Sequence, residues 1–164
     1  IGQTVKITAS GRQLHVAWPG GRHQASALAL DGGALFHLRV VQGRERVARS
    51  YRGTLACAAS GGRLQLVNHV AMEDYVSSVV ASEYPFPERE GVKAQAVAVR
   101  TYVLYQRTQA ASQGYDVEDD ASSQIYKGAA VETAVTRTAA IRCSTTRNPS
   151  TACPSSCATT WRAS

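Results

Sequence analysis

The hydrophobic period of this chain changes at residue 70, and that change limits what it can fold into. Before it, short runs alternate apolar and polar residues, the two-residue period of half-buried strands. Residues 4–8 (TVKIT), 13–18 (QLHVAW), 35–41 (LFHLRVV), 51–57 (YRGTLAC) and 63–69 (RLQLVNH) read as strands of an antiparallel meander. Gly-rich turns such as Pro19-Gly20-Gly21, Gly32-Gly33 and Gly61-Gly62 separate them. After residue 70, Met72, Tyr75, Val76, Val79 and Val80 follow the spacing of one helix face. Pro85 forces Tyr84 out of the helical region, so this helix should stop near Glu83. A second helix is expected from about residue 90 to 109, burying Val92, Ala96, Val99 and Val103. The stretch GYDVEDDASSQIYKG then reads as an acidic loop with a short strand around Ile125–Tyr126. Strands followed by helices predict an α+β fold, an antiparallel strand-rich lobe packed with a two-helix segment.

The 164 residues suffice for one domain with a sizeable core. No apolar run approaches the roughly 18–20 residues that cross a bilayer, so no transmembrane segment is expected. The first residue is Ile1, so the sequence reads as a fragment or a processed form, compatible with the loss of an export signal. The net charge of +6 is unevenly spread. Residues 1–63 carry nine Lys/Arg against Asp31 and Glu45, whereas residues 64–136 carry ten acids against five bases. A basic lobe can attract nucleic acid, anionic lipid or an acidic wall polymer. No nucleic-acid motif is present, and only Phe36 and Tyr51 stand near its arginines as stacking aromatics, so no nucleic-acid partner is expected.

Cys57 sits in a strand-like stretch and reads as a buried thiol. Cys143, Cys153 and Cys157 crowd the tail, and the Cys153/Cys157 spacing suits either a disulfide or half of a zinc site. With no histidine beyond Cys143, no metal and no cofactor are expected. His15, His23, His37 and His69 fall at no ligand-like spacing and read as structural.

The chemistry-bearing stretch is ASEYPFPEREGVKAQAVAVR, residues 81–100. Glu83 stands at a helix C-terminus, where the macrodipole disfavours negative charge and would raise its pKa toward that of a general acid. Lys93, Arg100 and Arg107 recur every two turns on one stripe of the next helix. If the prolines fold the two helices together, Lys93 and Arg100 face Glu83 and oppose that rise. The spacing leaves two readings open: an acid beside a cationic face, or an ion pair that pins the hairpin.

A longer pattern favours the first reading. Tyr51-Arg52-Gly53, LVNHVAMEDYVSSVVASEYP, KAQAVAVRTYVL and SQIYKG, in that order and spacing, resemble the SpoIID/LytB family of peptidoglycan-acting proteins. The resemblance covers about residues 1–135. It implies peptidoglycan glycan strands as substrate, lytic transglycosylase activity with Glu83 as catalytic acid, and an extracytoplasmic, cell-wall location. It also implies basic support from Lys93 and Arg100. Gln124 and Tyr126 are expected to hydrogen-bond sugar hydroxyls. The alternative within the family is a non-catalytic amidase enhancer that binds wall and assists an amidase or other hydrolase. SEYPF stands where a GEMP-like turn is common, keeping acid and proline.

These pieces divide the chain into a partial SpoIID-like domain at 1–136 and a distinct tail at 137–164. The domain comprises a strand-rich lobe (1–69), a helical pair (70–110) and a loop with a strand (111–136). The tail carries four arginines, no acid and little aliphatic periodicity. It reads as unpacked, the product of a truncation or a frame shift near Arg137 that leaves the domain incomplete.

Overall fold

The computed structural model describes residues 4–31, 35–42, 45–110, 114–131 and 156–163. The fold is α+β, and the strands among the described residues form three small sheets. Strands β1 (Lys6–Ser10), β2 (Gln13–Trp18) and β3 (Gly21–Ala25) make an antiparallel sheet in that order. Strand β4 (Ala27–Asp31) leaves it and pairs antiparallel with β7 (Thr54–Ser60), bypassing the hairpin of β5 (Phe36–Gln42) and β6 (Glu45–Tyr51). Strand β7 then pairs with β8 (Arg63–Ala71). The expected meander is therefore interrupted: β4 and β7 are neighbours because a whole hairpin is inserted between them.

Alternation decides what each face does. Leu14 and Val16 of β2, Leu55 and Cys57 of β7, and Leu66 of β8 are buried together, so the three-stranded sheet and the β4–β7–β8 sheet share a core. Ile7 and Ala9 of β1 and Leu28 and Leu30 of β4 close its edges. Burial pushes the Cys57 thiol up to about 11 from an ordinary 9.0. The thiolate fraction at pH 8 should accordingly fall about 100-fold, tenfold per unit. In the native protein, peptide mapping after iodoacetamide treatment should find Cys57 unlabelled, and labelling should appear on unfolding. Because the folded thiol is the weaker acid, its contribution to stability is complete below pH 9 and is lost as pH rises toward 11.

Helices α1 (Met72–Glu83) and α2 (Arg89–Gln109) follow β8 directly and form a second core. Tyr75, Val76, Val79 and Val80 face Val92, Ala96, Val99 and Val103, the positions that the helical spacing singles out. Phe36 and Leu38 of β5 pack against both cores and tie the lobes together.

Beyond α2, strand β9 is only Val117–Glu118, and a 3-10 turn spans Gly128–Val131. Ile125–Tyr126 is not a strand. Its backbone is taken up by side chains of neighbouring elements, described below, so no sheet partner is available to it. In the tail, Ser156–Ala163 forms strand β10, antiparallel to β8 and parallel to β9. Here the expected unpacked tail meets a strand. The run ATTW has β-branched and aromatic residues suited to a pleated surface, and β8 offers an edge to pair with. Cys143 and Cys153 lie outside the described residues.

Candidate active site

Glu83 is the last residue of α1. Tyr84 leaves the helix at φ −126° and ψ 76°, as the following proline requires, while its N–H still donates to the Val80 carbonyl at 2.8 Å. The Tyr84 phenol lies against Gly91 of α2, so closely that a Cβ there would sit 2.0 Å from its oxygen. Phe86 meets the same ring edge-on, with centroids 5.3 Å apart. A glycine in the first turn of α2 thus lets the tyrosine fix the hairpin.

The Glu83 carboxylate is half-buried where three segments meet. Its Oε1 accepts the Ile125 backbone N–H at 2.8 Å, and its Oε2 accepts from Gln95 Nε2 at 3.3 Å. A carboxylate offers about four lone-pair sites, so these two bonds orient the group and leave room for a substrate proton.

The loop that presents Ile125 is itself held from several sides. Asp119, nearly sealed from solvent, binds Arg49 Nη1 at 2.7 Å through Oδ2 and the Tyr126 N–H at 2.9 Å through Oδ1. Arg49 Nη1 also donates to the Tyr126 carbonyl at 3.1 Å. Asp120 accepts from the Ser122 N–H and hydroxyl, and the hydroxyl bond foremost holds its carboxyl below the usual range. Ser78 of α1 accepts the Lys127 N–H at 3.2 Å. Gly128 follows at φ +76°, where a Cβ would strike the Ser50 carbonyl at 2.2 Å.

Gln124 and Tyr126 belong to this support. Both are buried: the Gln124 side-chain oxygen accepts from the Tyr75 hydroxyl at 2.8 Å, and the Tyr126 hydroxyl donates to Asn68 Oδ1 at 2.9 Å. The Tyr126 ring stacks on Tyr75 and tilts against Tyr51. Burial raises the Tyr51 phenol to about 12, with Arg49 opposing and Asp119 adding to the rise. In this structure these residues hold the loop from inside.

Lys93 and Arg100 are not set against Glu83. Arg100 makes a two-pronged contact with Glu73, 2.9 Å from Nε and 2.6 Å from Nη2, and Lys93 binds Glu90 at 2.7 Å on its own helix. The Lys93 hydrogen bond chiefly holds the exposed Glu90 carboxyl below its ordinary value. Geometry explains the difference. In an antiparallel hairpin the end of α1 meets the first turns of α2, while Arg100 reaches the start of α1. Glu73 precedes Glu83 by ten residues, about 15 Å of helix. The ion pair that Arg100 makes across the hairpin is with Glu73.

Gln95 and the Ile125 amide are the residues that spacing did not single out. Gln95 lies three residues after Val92 and four before Val99, both buried, so a polar side chain on the buried face was the available signal. The Ile125 amide carries none. Among the described residues, no group of three or more His, Cys, Asp or Glu is arranged to hold a metal.

An α+β domain that clamps one glutamate at a helix hairpin defines the structural class. Residues 60–148 match the model of the SpoIID family, Stage II sporulation protein, and the chain belongs to that family. The match takes in β8, both helices and the Ile125 loop, and runs past Arg137. It leaves out the first 59 residues, including Tyr51-Arg52-Gly53. The chain is also 37% identical over 95 residues to an uncharacterized protein of Brachyspira hyodysenteriae (strain ATCC 49526 / WA1). That alignment covers 54% of this chain and 26% of the relative, so the chain spans about a quarter of the relative's length. No solved structure matches. Membership supports a sporulation-related, cell-wall-associated function at that level of detail. No helix among the described residues is long and apolar enough to cross a membrane.

Proposed function

We propose that this chain cleaves peptidoglycan glycan strands outside the cytoplasm as a lytic transglycosylase, with Glu83 as sole acid and base. The observation that carries this reading is the Glu83 carboxylate, half-buried and held through both oxygens by Gln95 and the Ile125 amide. Ordinary glycosidases need two carboxylates, one to protonate the leaving oxygen and one to attack or to activate water. A single acid suffices when the substrate supplies its own nucleophile. Protonated Glu83 gives its proton to the glycosidic oxygen as the bond to the anomeric carbon breaks. The C6 hydroxyl of the muramic residue attacks that carbon, closes an anhydro ring, and returns a proton to Glu83.

The clamp suits both halves of this cycle. An amide donates to a carboxylate through nitrogen and, turned over, accepts from a carboxylic acid through oxygen. Gln95 can therefore follow the proton on Glu83. Replacing Gln95 with Met, which keeps the volume and loses both functions, should lower kcat about tenfold, less than the roughly 10²–10⁴-fold that the acid–base group itself contributes, with KM unchanged. In a Glu83→Gln background the same change should cost nothing further, since groups that act as one unit are not additive. Steady-state kinetics of the single and double variants check this.

A second reading has its own support. The cations expected near Glu83 are bound to Glu73 and Glu90 instead. With no basic side chain paired to Glu83 among the described residues, the site also fits a wall-binding amidase enhancer that makes no cut. Incubating the chain with purified sacculi separates the two. Release of soluble glycan supports cleavage, whereas binding without release, together with faster turnover by an added wall amidase, supports the enhancer.

A further inference from the structure

The three-stranded sheet lies outside the residues that match the family, and its outer face has a definite chemistry. Its inner face, Ile7, Ala9, Leu14 and Val16, is buried against the rest of the lobe. By alternation the outer face carries two cross-strand rows, Lys6–Ala17–Arg22 and Thr8–His15–Gln24. These six residues, with Val16 and His23, line a shallow groove of about 440 Å³. No Asp or Glu occurs before Asp31, so no carboxylate of its own strands neutralises this face. Among the described residues, Lys6, Arg22, His15 and His23 have no hydrogen-bond or ion-pair partner.

We infer that this face is a second glycan-binding surface, one that grips a strand through carboxylates borne on its sugars. Lys6 and Arg22 both pair with Ala17 from opposite sides, so they stand two strand spacings apart, about 10 Å. The small Ala17 between them forms a floor on which an anionic group can approach both cations. In the neighbouring row, Thr8 and Gln24 supply uncharged donors and acceptors of the kind that bind hydroxyl and acetamido groups. A nucleic acid is the poorer fit, because single-strand binding relies on broad aromatic platforms and no Phe, Tyr or Trp lines the groove. The nearby Trp18 ring is folded over its own turn, 3.1–3.3 Å from where a Cβ of Gly20 or Gly21 would stand. The surface stands apart from Glu83 and needs no cleavage to operate.

Binding of peptide-free glycan strands to the full chain tests this, with every protein carrying Glu83→Gln so that cleavage cannot interfere. Lys6→Gln together with Arg22→Gln should weaken binding about tenfold, the scale of two exposed charge contacts. Lys6→Arg with Arg22→Lys should retain it. Amidating the muramic carboxylates of the strands should reproduce the loss. Arg39→Gln with Arg46→Gln removes equal charge from the β5–β6 hairpin and should leave affinity intact. Equal binding of native and amidated strands would overturn the inference. So would equal losses from the two double variants, or tighter binding to duplex DNA at the same salt.

Discussion

Glu83→Gln should abolish glycan cleavage while the domain stays folded. The amide keeps the shape of the carboxylate and can still accept the Ile125 N–H through its oxygen. It has no proton to give at the glycosidic oxygen, and the loss should be on the order of 10²–10⁴-fold in kcat. Unfolding midpoints should hardly move, since the position is only half-buried. A variant that keeps full turnover removes Glu83 from the chemistry.

The largest effect on stability should come from Gly53→Ala. Gly53 sits at φ +81°, between β6 and β7, and a Cβ there would lie 2.0 Å from the His69 carbonyl oxygen on β8. The left-handed conformation alone costs a non-glycine residue about 1–2 kcal/mol. The backbone collision comes on top of it, and the sum should reach about 3 kcal/mol or more, the range reserved for core disruption. Gly61→Ala is the matched comparison, with φ +58° and nothing within 4 Å of its added carbon. It should lose only the conformational part. Urea unfolding of the two variants separates the terms, and similar losses would mean that the strands adjust freely around residue 53.

The helix hairpin was legible because its signals are local. Pro85 stops α1, and the valine spacing marks the buried faces of both helices. The strands are less legible. GRHQA of β3 has no alternation, and ERVARSY of β6 interrupts its apolar positions with charge, so neither announces itself. YRGTLAC reads as one strand, yet the pairing of β6 ends at Tyr51 and that of β7 begins at Thr54, with Gly53 at the bend between them. The candidate site divides the same way. Glu83 follows from a helix end and a proline. The partners of Lys93 and Arg100 depend on how far the antiparallel helices overlap, which periodicity does not fix. The Ile125 bond is more remote still, a backbone amide 42 residues away presented by a loop that Asp119 and Arg49 hold.

The most direct test of the central claim is the chemistry of the new chain ends. Peptide-free glycan strands incubated with the purified chain should acquire anhydro-muramic ends, detected by mass spectrometry, and the Glu83→Gln chain should produce none. Ordinary reducing ends, formed by water, would contradict the single-acid mechanism, and the absence of any new ends would contradict cleavage itself.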